Sequence, residues 1–158
     1  MKNWADEGVA LKIISRSKKG WKMANKIDHI AVLVSNLDES VKLYENLFDA
    51  KLYRSQPVPE QGVNAAILSF ADGAHLELIE PLPGSNMVKV LEKRGEGVHH
   101  IAFEVDDVAQ ELNRLSEKGV TLIDKEPRPG VEGMVAFIHP KSTRGVLIEF
   151  VPKIKWEE

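Results

Sequence analysis

His29-Ile-Ala-Val-Leu-Val-Ser-Asn-Leu-Asp-Glu-Ser-Val41 and His100-Ile-Ala-Phe-Glu-Val-Asp-Asp-Val-Ala-Gln-Glu-Leu112 are one pattern written twice, shifted by 71 residues from position 29 to position 100. A second pair of markers follows. Leu76-Glu77-Leu78-Ile79 and Ile148-Glu149-Phe150-Val151 each set a glutamate between apolar residues, and they stand 72 residues apart. One inserted residue between the markers accounts for the difference. A unit of this length exceeds the roughly 20 to 50 residues of a solenoid repeat. It predicts instead two fused modules that share one central surface.

Periodicity supplies the elements of each module. Ile27 to Val34 alternates as a strand, with Ile30, Val32 and Val34 on one face and His29, Ala31 and Leu33 on the other. From Asn36 to Phe48, the residues Leu37, Val41, Tyr44 and Phe48 share one helical face, and Asn36 or Asp38 offers an N-cap. Val63 to Phe70 and Ala74 to Glu80 flank Asp72-Gly73, which suits a tight hairpin turn. Ser85 to Arg94 reads as a short connecting helix ahead of Gly95.

The second module repeats the scheme. Val98 to Val105 is a strand with His100 placed as His29 is, and Val108, Leu112 and Leu115 mark a helix closed at Gly119. Val120 to Ile123 is expected to resume the sheet, and Met134 to His139 with Val146 to Val151 to form the last pair. The fold class is α+β: two tandem β-α-β-β-β modules, 25–95 and 96–158, forming a curved, mostly antiparallel sheet around a metal cavity, with helices outside. Residues 1–24, basic and without period from Ser15 to Lys22, read as an extension with no assigned role.

The 158 residues carry 43% hydrophobic and 28% charged side chains and a formal charge of −3, as an ordinary globular chain does. Neither nucleic-acid binding nor membrane insertion is expected, since no apolar run reaches the roughly 18 to 20 residues of a spanning helix. No cleavable leader is recognised, and the expected location is cytoplasmic. With no cysteine in the chain, any metal must be held by nitrogen and oxygen.

Alternation places Leu76, Leu78, Ile148 and Phe150 toward the helices, and Glu77 and Glu149 on the opposite face. There they can meet His29 and His100 from four strands, two imidazoles and two carboxylates suited to a divalent first-row ion with positions left open. A lone strand histidine is more often structural than ligating; the repetition of both residue types favours a site. His99 is expected to face the helices, His139 to be exposed, and Glu80 and Glu104 to be solvated, while a place for His75 behind the ligands is left open.

Asp28-His-Ile-Ala-Val32, Pro57-Val-Pro-Glu-Gln-Gly-Val63, Gly97-Val-His-His-Ile-Ala-Phe-Glu-Val-Asp106, Phe137-Ile-His-Pro-Lys141 and Gly145-Val-Leu-Ile-Glu149 add specific segments to this pattern. From about Lys26 to Lys153 the chain resembles the vicinal oxygen chelate (glyoxalase-like) superfamily, and within it the methylmalonyl-CoA epimerase family. The resemblance implies His29, Glu77, His100 and Glu149 as metal ligands, Glu77 standing where some relatives have glutamine. It implies cobalt or another divalent ion (manganese, nickel or zinc) and a homodimer.

The implied reaction interconverts the R and S forms of methylmalonyl-CoA through an enediolate that the chelated ion stabilises. Glu149 is the expected catalytic base. Some family members carry a second acid shortly after the Gly-Val step, where this chain has Ala65, so Glu77 or a water is left for that role. Lys141 and Arg144 are candidate contacts for the coenzyme A phosphates. A glyoxalase I type lactoylglutathione lyase would use the same ligand set, and the flanking motifs favour the epimerase over it. A binding protein that sequesters antibiotics would be expected to lack the paired ligands.

Overall fold

The structure, a computed structural model, describes residues 24–155. All but the last residue of the expected 1–24 extension lies outside them. Twelve-residue helix α1 (Leu37–Phe48) follows strand β1 (Lys26–Leu33), and β2 (Lys51–Val58), β3 (Val63–Ser69) and β4 (His75–Pro81) complete the first module. Helix α2 (Asn86–Arg94) leads to β5 (Gly97–Val105), α3 (Val108–Glu117), β6 (Arg128–Gly130), β7 (Gly133–Ile138) and β8 (Ile148–Pro152). The strands form one curled mixed sheet in the order β2-β3-β4-β1-β5-β8-β7-β6.

Local chemistry sets the element ends. Asn36 caps α1 by accepting a hydrogen bond from the Glu39 amide at 3.0 Å, and Asp107 caps α3 by accepting from the Gln110 amide at 2.9 Å. Gly73, at φ +79°, turns the β3–β4 hairpin as Asp72-Gly73 predicts.

The seam between the modules is the antiparallel pair β1–β5, in which Ala31 faces His100 and His29 faces Ala102. On its outer sides the pattern is parallel: β1 runs with β4, pairing Ala31 with Glu77, and β5 runs with β8, pairing Ala102 with Glu149. The four expected ligands are therefore held on four adjacent strands. One face of each module packs on its helix. Val34, Leu37, Val41, Ala66, Leu68 and Leu78 form one apolar cluster, and Val105, Val108, Leu112, Ala136, Ile138 and Phe150 its counterpart. The concave face carries the site.

Several expectations need correction. Val120–Ile123 is not a strand: only Leu122 makes an isolated bridge, to Ile138, and the sheet edge is the three-residue β6. Pro129 and the shortness of β6 erase any alternation signal. The strand β2 had no residues assigned to it, because its mostly exposed, polar run with Pro57 reads as loop. Phe48, expected on the buried face of α1, is 58% exposed, its ring tilted against that of Tyr44 with centroids 5.5 Å apart. Glu104 is buried rather than solvated, bonded by the Asn25 amide group at 3.1 Å and paired with Lys26 at 3.6 Å. Among the described residues no helix is long and apolar enough to cross a membrane.

Candidate metal centre

His29, Glu77, His100 and Glu149 converge. Each is at most 4% exposed. Nε2 of His29 lies 3.5 Å from Oε2 of Glu77 and 3.5 Å from Oε2 of Glu149. Nε2 of His100 lies 3.5 Å from Oε2 of Glu77 and 3.1 Å from Oε2 of Glu149. The two rings stand edge to face with centroids 5.7 Å apart.

These spacings fit a metal ion. Donors about 2.1 Å from one cation in tetrahedral or octahedral array stand roughly 3.0 to 3.4 Å from one another. Nε2 of His29 is moreover buried without a hydrogen-bond partner, an arrangement that is costly unless something else satisfies the nitrogen. Ligand atoms of His29, Glu77 and His100 all fall within 4.8 Å of one another, and Glu149 adds a fourth donor at the distances above.

The residue before each histidine orients it. Oδ2 of Asp28 contacts Nδ1 of His29 at 3.0 Å, and Nδ1 of His99 contacts Nδ1 of His100 at 2.9 Å. In both modules the outer ring nitrogen is engaged and Nε2 is turned to the carboxylates, the usual outer support of a metal-ligating imidazole. His99 thus does not face the helices. It lines, with His100, Arg128 and Phe137, a largely apolar cavity of about 180 Å³. Burial lowers its pKa to about 4, with the charge of nearby His100 adding to the effect, so its ring stays neutral and can accept from His100.

The electrostatics of the cluster are those of opposed charges in a closed space. Burial raises the pKa of Glu149, but His100 and His29 outweigh it and hold the carboxyl at about 2. For His29 burial acts downward, and the carboxylates of Asp28, Glu149 and Glu77 overcome it to raise the pKa well above its ordinary value.

The remaining expected residues lie outside the cluster. His75 lines a shallow pocket with Asp28 and His29, its ring 6.5 Å from that of Tyr53. Lys141 and Arg144 are exposed on the β7–β8 loop, where Arg144 takes a left-handed φ of 57°. His139 is half-buried and accepts from the Lys141 amide through Nδ1 at 3.1 Å. Two residues beside the site went unread in the sequence. Arg128 holds its guanidinium 5.1 Å over the Phe137 ring and bonds Asp124 at 3.1 Å. Glu132, on the β6–β7 turn, carries a side chain only 9% exposed. Neither recurs in the other module, so the repeat gave no signal for them.

The model of the Glyoxalase/Bleomycin resistance protein/Dioxygenase superfamily matches residues 28–137. The chain belongs to this superfamily. Among its relatives there, the uncharacterized protein YqjC of Bacillus subtilis is 42% identical, over 79% of this chain and 90% of the relative. The mitochondrial methylmalonyl-CoA epimerase of Dictyostelium discoideum is 36% identical over 81% of this chain and 78% of its own. A Streptomyces coelicolor methylmalonyl-CoA epimerase in complex with 2-nitronate-propionyl-CoA superimposes with a TM-score of 0.77 at 37% identity, covering 84% of this chain and all of that one. The superfamily's curled sheet is the one described above, with the buried histidines and glutamates on its concave face.

Proposed function

We propose that the protein is a metal-dependent methylmalonyl-CoA epimerase. The observation that carries this reading is the convergence of two imidazole nitrogens and two carboxylates within 3.1 to 3.5 Å on the concave face of a chain whose relatives include epimerases of that substrate. His29, Glu77, His100 and Glu149 hold the ion, and the family resemblance makes cobalt the first to load and a homodimer the assembly to test for. A divalent ion held by this set supplies positive charge to the carboxylate and thioester oxygens that flank the acidic carbon.

The chain's own groups do the rest. Glu149, kept ionised by His100 and His29, accepts the α-proton. The largely apolar cavity beside His100 and Phe137 gives the planar carbon an apolar wall. Lys141 and Arg144, exposed on the β7–β8 loop, meet the phosphates of coenzyme A. A lactoylglutathione lyase would employ the same donors, and the test separates the two. Metal-loaded protein is assayed for deuterium exchange and inversion on methylmalonyl-CoA, with methylglyoxal and a thiol in parallel. Exchange and inversion on the first support the proposal; turnover only of the second overturns it.

A further inference from the structure

In a two-base inversion of a stereocentre one group removes the proton and another returns a proton to the opposite face. Glu149 is one. Glu77 belongs to the same donor cluster, in which its oxygen lies 3.5 Å from both histidines. On the far wall Ala65 is fully buried with no group to offer.

A further carboxylate, that of Glu132, stands on the turn between β6 and β7 with its side chain only 9% exposed. The β6–β7 turn comes from the second module but lands on the first: Val131 packs into the cluster of Leu33, Val58, Val63, Ala65 and Ile79, and its carbonyl accepts from the Gln56 side chain at 3.2 Å. Gln56 is the β2 partner of Ala65. The next residue, Glu132, is therefore held beside the position where Ala65 leaves the wall bare. Its carboxylate pairs with Arg54 of β2, whose Nη1 lies 3.4 Å from each oxygen and bonds Oε2, while Oε1 is buried with no hydrogen-bond partner. Strand β2 is at one edge of the sheet and β8, which carries Glu149, is separated from it by four strands, β3, β4, β1 and β5. Glu132, paired with Arg54 of β2, and Glu149 on β8 thus belong to opposite sides of the central β1–β5 pair.

We propose that Glu132 is the second acid/base of the epimerisation, the group across the substrate from Glu149. This rests on the epimerase reading above. Glu149 takes the α-proton as a carboxylate, Glu132 delivers its own as a carboxylic acid, and the roles exchange in the reverse direction, so that one proton leaves and one arrives per turnover. Burial lifts the Glu132 pKa and Arg54 pulls it down; Asp28 and Glu77 add to the rise and His29 opposes it. The net effect is a rise above the ordinary carboxyl value.

The test follows each epimer of methylmalonyl-CoA separately in D2O with metal-loaded protein, scoring deuterium at the α-carbon and inversion independently. In Glu132→Gln inversion should fall by about 10²-fold or more, with metal content unchanged, while deuterium still enters the epimer whose α-proton faces Glu149. Glu149→Gln should give the opposite pattern. Inversion by Glu132→Gln within threefold of wild type, or equal loss of exchange from both epimers, overturns the assignment. Should that variant not fold, wild type decides: deuterium in the earliest product supports two opposed groups, and retained protium overturns them. A wild type that inverts while Glu132→Gln also inverts sinks this inference alone; a wild type inert on methylmalonyl-CoA sinks the epimerase reading and this assignment with it.

Discussion

Oδ2 of Asp28 lies 3.0 Å from Nδ1 of His29, and that contact decides which ring nitrogen meets the glutamates. With a proton held on Nδ1 toward Asp28, Nε2 presents its lone pair to the cluster. Asp28→Ala should therefore weaken divalent-metal binding by about 10- to 100-fold without unfolding the chain. Competition against a chromophoric chelator reads the affinity directly. An unchanged dissociation constant would show that His29 is oriented by packing alone.

Removing a donor should have a larger effect. His29→Ala and His100→Ala are each expected to lower bound metal per chain, measured by elemental analysis after gel filtration. Full occupancy in both variants would be incompatible with the ligand set.

The metal-free protein should show a stability maximum in mildly acid solution. Glu149 has a folded pKa of about 2 against an ordinary 4.5, so its contribution is present above 4.5 and is lost as pH falls toward 2, where the unfolded chain has already bound the proton. His29 acts in the other direction. Its raised pKa gives stability that is full below the ordinary 6.5 and disappears as pH rises through the folded value. Urea unfolding in the presence of EDTA should therefore give the largest free energy between pH 4.5 and 6.5. Steadily rising stability through pH 8 would contradict the assigned directions.

Away from the site, the helix-facing core should be sensitive to truncation. Leu78 is fully buried among Val34, Leu37, Val41 and Leu68. Leu78→Ala should cost about 2 to 5 kcal/mol of unfolding free energy by urea titration.

Gly62 tests the backbone beside the cavity. It has φ +73°, and a Cβ added there would come 2.8 Å from the Cβ of Ser85. Gly62→Ala should lower stability by roughly 1 to 2 kcal/mol from the left-handed conformation alone, and by more if Ser85 cannot move. A melting temperature equal to wild type would refute this.

The sequence was legible where the two modules agree. His29 with His100, and Glu77 with Glu149, repeat both type and position, and alternation correctly turned Leu76, Leu78, Ile148 and Phe150 toward the helices. It was illegible where a residue acts once. Glu132 and Arg128 come from a turn and a three-residue edge strand whose placement depends on packing against the other module, and no local period encodes that. His99 misled because alternation alone sets it on the helix side, whereas the strand's exposed N-terminal end lets its ring turn to the cavity mouth. Edge strand β2 was hidden by its own polarity, which water tolerates at a sheet margin.

The backbone duplication is not matched by a duplication of charge. Behind His29 stands a carboxylate; behind His100 stands a neutral imidazole. An ion between them meets two chemically unequal nitrogens, one made the stronger electron donor by the acid at its back. The likeness of the two halves therefore ends behind the histidines, and the cluster has a built-in left and right before any substrate arrives.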